Sequence, residues 1–249
     1  MRYFIEFSYD GTHYHGWQIQ PGQETVQEVM TERFRCIFGP DFSLTAAGRT
    51  DAGVHARQMV AHFDTEQPVV DLPAMAHRLS WMLPADIAVH SLRPVRSDAH
   101  ARFDALSRTY EYRFSLEKDP FTRRYTSFLV HCPDVYLMNQ GARALLDYTD
   151  FTSFSKVHTD VKTNNCRILQ ARWDVRGPLL VFTVQADRFL RNMVRAIVGT
   201  MLELGRHKID IAGFRQIIES KDRCEAGTSV PAQGLFLMRV EYPEDVYLI

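Results

Sequence analysis

Residues 3–9 alternate apolar and polar positions and are rich in aromatics, which predicts a strand ended by the turn Asp10-Gly11. Thr25 with Glu28 three residues on forms a capping-box pattern, so a helix is predicted from there to about Phe38, where Gly39-Pro40 stops it. Residues 43–47 and 59–63 read as short strands on either side of the Gly-containing turn GRTDAG. A helix is expected over 71–81, ended by Pro84, and a strand over 87–92. The polar stretch 93–106, which carries Pro94, reads as a linker. Beyond it the order repeats in outline. Strands are expected over 109–116, 166–175, 179–185 and 235–240, and helices over 137–146, 189–204 and 209–220. The turn Arg176-Gly177-Pro178 marks a hairpin, and Gly205 fits a helix C-cap.

Strands and helices interleave in both halves, yet hairpins are present. That combination predicts an α+β fold of two similar halves, residues 1–105 and 106–249, with mainly antiparallel sheets flanked by helices. The chain's 249 residues, 45% of them hydrophobic, suffice for a core without metal or disulfide staples. Cys36, Cys132, Cys166 and Cys224 form no C-x-x-C pair, which argues against zinc ribbons and redox motifs. Glu6 and Asp10 occupy the place of a signal peptide's apolar core, and no apolar run approaches the ~18 residues of a membrane span. A cytoplasmic protein is expected.

The formal net charge of −1 argues on its face against a nucleic-acid partner. Its distribution changes the picture. Residues 1–30 set Arg2 against Glu6, Asp10, Glu24 and Glu28, a net −3. Residues 156–195 set eight lysines and arginines against Asp160, Asp174 and Asp187, a net +5. Local clustering of this kind is what a phosphate backbone feels. Phosphate contacts are expected from that segment together with Arg93, Arg96, Arg102 and Arg108, although a charge run is more often a solvated face.

The sharpest local feature is the run from Ala46 to Ala56, AAGRTDAGVHA, in which two glycines bracket Asp51 and Arg49 precedes it by two residues. Glycine permits positive φ and close backbone approach, so such a loop can hold a carboxylate on a rigid turn. A cation nearby would keep Asp51 ionised, typically lowering a carboxyl pKa by about 1–3 units. Ionised, it suits nucleophilic work. Read from the residues alone, the run is first of all a structural turn with Asp51 bonded to backbone N–H groups and Arg49 on the surface. No dinucleotide fingerprint, P-loop or H-E-x-x-H occurs.

GRTDAGVHA resembles the signature of the tRNA pseudouridine synthase A family, in which that aspartate is the nucleophile. The likeness extends along the chain: Tyr9-Asp10-Gly11-Thr12, Gly16-Trp17-Gln18, Thr25-Val26-Gln27, the Arg108-x-Tyr110-x-Tyr112 strand, Phe189-Leu190 with Met193-Val194-Arg195, and Pro231 to Leu235. The resemblance implies an active-site cleft between the halves, with Asp51 catalytic. Tyr110 would stack on the flipped uracil, and Arg195 would pair with the catalytic carboxylate. Arg49 would order the loop or meet RNA, and Leu235 would form an apolar wall. It also implies no cofactor, no metal, and a homodimer acting on uridines 38, 39 and 40 of the tRNA anticodon stem-loop. His55 is expected to hold structure or a phosphate. A non-catalytic RNA-binding module on the same fold is the alternative; it has no need of an ionised carboxylate facing phosphates. A carboxylate glycosidase would require a second positioned acid.

Overall fold

The computed structural model describes residues 1–156 and 163–248. They form two compact units, Met1–Ser107 with Leu237–Ile249, and Arg108–Phe236. The chain is α+β, and its described strand pairings are mostly antiparallel, as the interleaved pattern predicts.

In the first unit, β1 (Arg2–Tyr9) lies between β3 (His55–Asp64) and β4 (Ile87–Val95), antiparallel to both. The short β2 (Thr45–Ala46) pairs with the far side of β3, as does β9 (Leu235–Glu241). Helix α1 (Val26–Phe38) starts where the capping box predicts: the Thr25 hydroxyl accepts from the Glu28 N–H, and Gly39 ends the helix at φ 95°. Its Phe38 packs on Phe63 of β3, and Phe34 and Phe42 complete that cluster. Helix α2 (Leu72–Trp81) is capped by Asp71 and packs on β4.

Strand β3 begins four residues before the predicted strand, because His55, Ala56 and their neighbours find a partner in the end of β1. The expected linker is not a free segment. Arg93 to Val95 extend β4, where the Pro94 carbonyl accepts the Leu248 N–H at 3.0 Å. Ala99 and Ala101 are fully buried, held by Arg2 Nη1 donating to the Ala99 carbonyl and the Ala101 N–H donating to His62.

In the second unit β8 (Leu179–Ala186) is central, antiparallel to β5 (Ser107–Ser115) and β7 (Ile168–Arg176). Gly177 turns the β7–β8 hairpin at φ 59°. A two-residue strand that the pattern does not show, β6 (Ser127–Phe128), runs parallel to β5. Helix α3 (Val135–Ala144) packs on α4 (Met193–Gly205), on α5 (Ile211–Ser220) and on β7. Trp173 and Phe182 pack against each other in the core, ring centroids 4.8 Å apart and planes tilted by 32°. Helix α4 starts four residues later than its apolar spacing predicts, because Asn192 adopts a left-handed φ of 66° and cannot continue a helix.

Candidate active site

Asp51 lies in the first unit, half-buried, on the non-regular loop between β2 and β3. The backbone of residues 11–17 is laid directly against that loop. The Trp17 N–H donates to the Thr50 carbonyl (3.2 Å), the Gly53 N–H to the Tyr14 carbonyl (3.2 Å), and the Val54 N–H to the Asp51 carbonyl (3.1 Å). Glycine is needed for this approach, but not at the positions the motif suggests. A Cβ on Gly11 would collide with the Val54 carbonyl, and one on Gly16, at φ 88°, with the Thr50 carbonyl. Gly48 has open space around it, and Gly53 turns the loop at φ 76°. The Y-D-G-T and G-W-Q blocks are therefore the seat on which the Asp51 loop rests.

Side chains complete the seat. The Tyr9 hydroxyl and the Thr50 Oγ1 are buried and 2.7 Å apart. His55, 2% exposed, accepts the Gly11 N–H at Nδ1 (3.1 Å) and has the same atom 3.0 Å from Asp10 Oδ1. It works as a structural clamp between the Asp10 turn and β3, as expected of one of its two roles. Tyr14 donates its hydroxyl to Asp86 (2.7 Å); burial and that hydrogen bond hold its phenol above its ordinary range. Arg49 is exposed on the same loop, two residues from Asp51.

The second unit carries the other candidates. Alternation along β5 puts Tyr110 and Tyr112 on one face, but their surroundings differ. Tyr112 is fully buried, bonded to Ser127 Oγ (2.7 Å) and to the Pro231 carbonyl (2.8 Å), and burial pushes its phenol up to about 12. Tyr110 is half-buried and makes a T-shaped contact with Phe189, centroids 5.0 Å apart and planes at 83°. Phe189 is thus not a helical core residue. It sits in the irregular stretch 187–190, which Arg108 holds by donating to the Asp187 carbonyl (2.7 Å). Between the two tyrosines, Glu111 points the other way and is buried. Burial raises its carboxyl, but hydrogen bonds from Arg176 and Arg113 outweigh that and hold it below its ordinary value.

Arg195 is half-buried in the first turn of α4, and its Nε donates to the Val230 carbonyl (2.7 Å). The Val230 N–H returns a bond to the Arg195 carbonyl (3.2 Å). The segment 223–230 is fastened along α4: Asn192 Nδ2 donates to Ser229 Oγ (2.6 Å), Arg223 Nη2 to the same oxygen (3.0 Å), and the Gly227 N–H to Thr200 Oγ1 (2.9 Å). The segment leads into a single 3-10 turn, Ala232–Gly234, and then to Leu235, which is buried. Arg195 and Leu235 are therefore positioned by one continuous stretch of chain.

The basic segment is less available than its formal charge implies. Arg172 pairs with Asp174 (3.1 Å), and Arg176 with both Glu111 (2.7 Å) and Asp174 (3.3 Å). Arg96 is paired with Asp245 and Asp98, and Arg93 lies over the Tyr247 ring at 3.4 Å. Lys162 and Asp160 lie outside the described residues. Among the described residues no three histidine, cysteine or carboxylate side chains cluster as metal ligands, and no helix is long and apolar enough to cross a membrane.

A family model described as tRNA pseudouridine synthase matches residues 6–104 and 142–243. The chain belongs to the tRNA pseudouridine synthase family. It is accordingly an isomerase. Relatives match over almost their whole lengths. The tRNA pseudouridine synthase A of Parabacteroides distasonis is 54% identical over 246 residues, 99% of this chain and 98% of that one. The protein of that name from Bacteroides thetaiotaomicron is 54% identical over 249 residues, 99% of this chain and 92% of its own. That of Geobacillus kaustophilus is 39% identical over 241 residues, covering 96% and 93%. Within this synthase family the loop that residues 11–17 brace is the one the motif singles out, and Tyr9, Thr50 and the two seat glycines are parts of its support that residue pattern alone did not identify. Tyr9 carried a signal as an alternating aromatic and as the first residue of the Y-D-G-T block, and neither says what its hydroxyl meets.

Proposed function

We propose that the chain converts uridine to pseudouridine at positions 38, 39 and 40 of the tRNA anticodon stem-loop, with the Asp51 carboxylate as nucleophile and no cofactor. The observation that carries this is the bracing of the Asp51 loop. Its backbone is tied on both sides of the aspartate, so the carboxylate starts from a fixed main chain. Holding a reacting group in place before the substrate arrives removes much of the entropic barrier.

The reaction breaks the N1–C1′ glycosidic bond, turns the uracil and joins C5 to C1′; the proton on C5 is lost and N1 gains one. Asp51 contributes a negative oxygen, which adds to the ribose, takes a ribose proton to give a glycal, or attacks the uracil ring. The base must leave its stack first, which costs a few kcal/mol. Tyr110, held edge-on by Phe189, offers an aromatic face that offsets part of this cost. In this reading Arg195 balances the Asp51 charge, Leu235 walls the base, and Arg49 meets the RNA. The working form is a cytoplasmic homodimer with one tRNA across both subunits, as the family resemblance implies.

The test follows from the chemistry, because forming C5–C1′ must release the C5 hydrogen. Anticodon stem-loop transcripts carrying a single uridine at 38, 39 or 40, tritiated at C5, are expected to release tritium with the wild-type chain and none with Asp51→Asn. Turnover by pure, folded Asp51→Asn would remove Asp51 from the role. Binding of RNA without release by the wild-type chain would leave an RNA-binding module in place of the enzyme.

A further inference from the structure

We propose that Tyr9 is a positioning residue for the nucleophile, acting through its hydroxyl on Thr50, the residue before Asp51. The inference rests on Asp51 being the nucleophile, as proposed above. Three observations carry it.

The first is the pair itself. Tyr9 is 4% exposed and Thr50 8%, and their oxygens stand 2.7 Å apart beside an apolar cluster that includes Phe7 and Trp17. A phenylalanine with a valine would fill this space, and replacing both partners of a buried hydrogen bond with apolar groups of the same shape is close to neutral for stability. The fold does not need the pair, whereas a fixed direction for Thr50 does.

The second is that Thr50 is held at both ends. Its side chain meets Tyr9, while its carbonyl accepts the Trp17 N–H at 3.2 Å. With those two atoms fixed, rotation of the peptide leading into Asp51 is blocked. Without the Tyr9 hydroxyl, Thr50 Oγ1 must seek another acceptor or donor, and the backbone that carries the carboxylate moves with it.

The third is the strand geometry that delivers Tyr9. Along β1 the pairing runs Phe7↔Met59 and then Tyr9↔Ala56, so two residues of β1 advance against three of β3. On the other edge it runs Glu6↔Ser91 and then Phe7↔Val89, one residue against two. Both neighbours of β1 therefore carry an extra residue within three positions of Tyr9. Bulges bend a strand and re-aim its side chains, and they recur beside active sites. Here they set the direction of the last side chain of β1.

The experiment measures single-turnover tritium release at saturating stem-loop, per mole of protein shown to be folded by near-ultraviolet circular dichroism. Tyr9→Phe is expected to lower the rate about 10- to 100-fold, the scale of effect of a small misplacement of a reacting group. The RNA concentration at half-saturation should stay within about 2-fold of wild type, since the Tyr9 side chain is buried. Thr50→Val should lose rate to the same degree, and the double variant no more than the worse single one, because both remove one interaction. Thr50→Ser keeps the hydroxyl and should stay within about 3-fold of wild type. A Tyr9→Phe rate equal to wild type, or losses that multiply in the double variant, would overturn the positioning role while the Asp51 reading stands. A wild-type chain that releases no tritium would overturn both. Should Tyr9→Phe not fold, Thr50→Val and Thr50→Ser decide the matter between them: equal rates overturn the role, and a large loss in the valine variant alone supports it.

Discussion

The Asp51 loop and the start of α4 carry two of the candidate site residues, and they are built by different means. Around Asp51 the fastening is main chain against main chain, which requires glycine at 11 and 16 because any Cβ would occupy the space of a carbonyl oxygen. Around Arg195 it is largely through side chains, with Asn192 and Arg223 both donating to the Ser229 hydroxyl and Arg195 and Val230 exchanging one side-chain and one main-chain bond. Backbone contacts tolerate almost no displacement. Side-chain contacts have rotamers through which to adjust. The first arrangement suits a group that must start in one place, the second a group that adjusts to its partner.

Breaking the backbone seat should have the largest effect. In Gly16→Ala a Cβ is forced at φ 88° against the Thr50 carbonyl. The expected loss is about 100-fold or more in single-turnover rate and about 2–4 kcal/mol in urea stability. Gly22→Ala is the control that sharpens this: its φ is 70°, but nothing lies within 4 Å of the new Cβ. It should cost about 1 kcal/mol and leave the rate alone. If both variants lose rate equally, close approach is not what fixes the loop.

A smaller effect is expected at Asn192, whose φ is 66° and whose amide donates to Ser229. Asn192→Ala loses the hydrogen bond and keeps the strain, which should cost about 2 kcal/mol in urea unfolding. Asn192→Gly relieves the strain and loses only the bond, so it should be milder by about 1 kcal/mol. Reversal of that order would show that left-handed strain at residue 192 is not what costs stability at α4.

The smallest effect tests whether loss of rate can come from general loosening of the first unit. His62 in β3 accepts the Ala101 N–H at Nδ1 and faces His100 and Arg2; burial first, then those neighbours, lowers its pKa to about 4. His100 is lowered as well, chiefly by burial, while the nearby carboxylates Asp64 and Asp104 act in the opposite sense on His62. Between the ordinary histidine value of 6.5 and about 4 the unfolded chain therefore binds more protons than the folded one. Stability should be unaffected above about 6.5 and decline as pH falls from there towards 4. Urea midpoints measured across that window should fall less steeply in His62→Gln. An unchanged slope would assign the acid sensitivity to other groups.

Much of the fold was legible because local rules decided it. The Thr25 cap, the Gly39 stop and the Arg176-Gly177-Pro178 hairpin are set by a few adjacent residues and stand where expected. The errors lie where a distant segment intervened. The apolar spacing through Phe189 reads as helix, yet Phe189 is drawn off to cover Tyr110 and Asn192 turns left-handed. Residues 93–106 are polar enough for a linker, yet they are consumed by β4 and by bonds to Arg2 and His62.

For the site, the sequence by itself determined the family, the candidate aspartate and its companions, because nine consecutive residues and several collinear blocks are specific without any coordinates. It determined the alternation that puts Tyr110 and Tyr112 on one face. Which of the two is buried beneath Pro231 and which is left beside Phe189 was decided only by tertiary structure. So was the partnership of Tyr9 with Thr50, 41 residues apart. The reason is physical. Periodicity records which way a side chain points relative to its own strand or helix, whereas burial and hydrogen bonding depend on what the rest of the chain places opposite it.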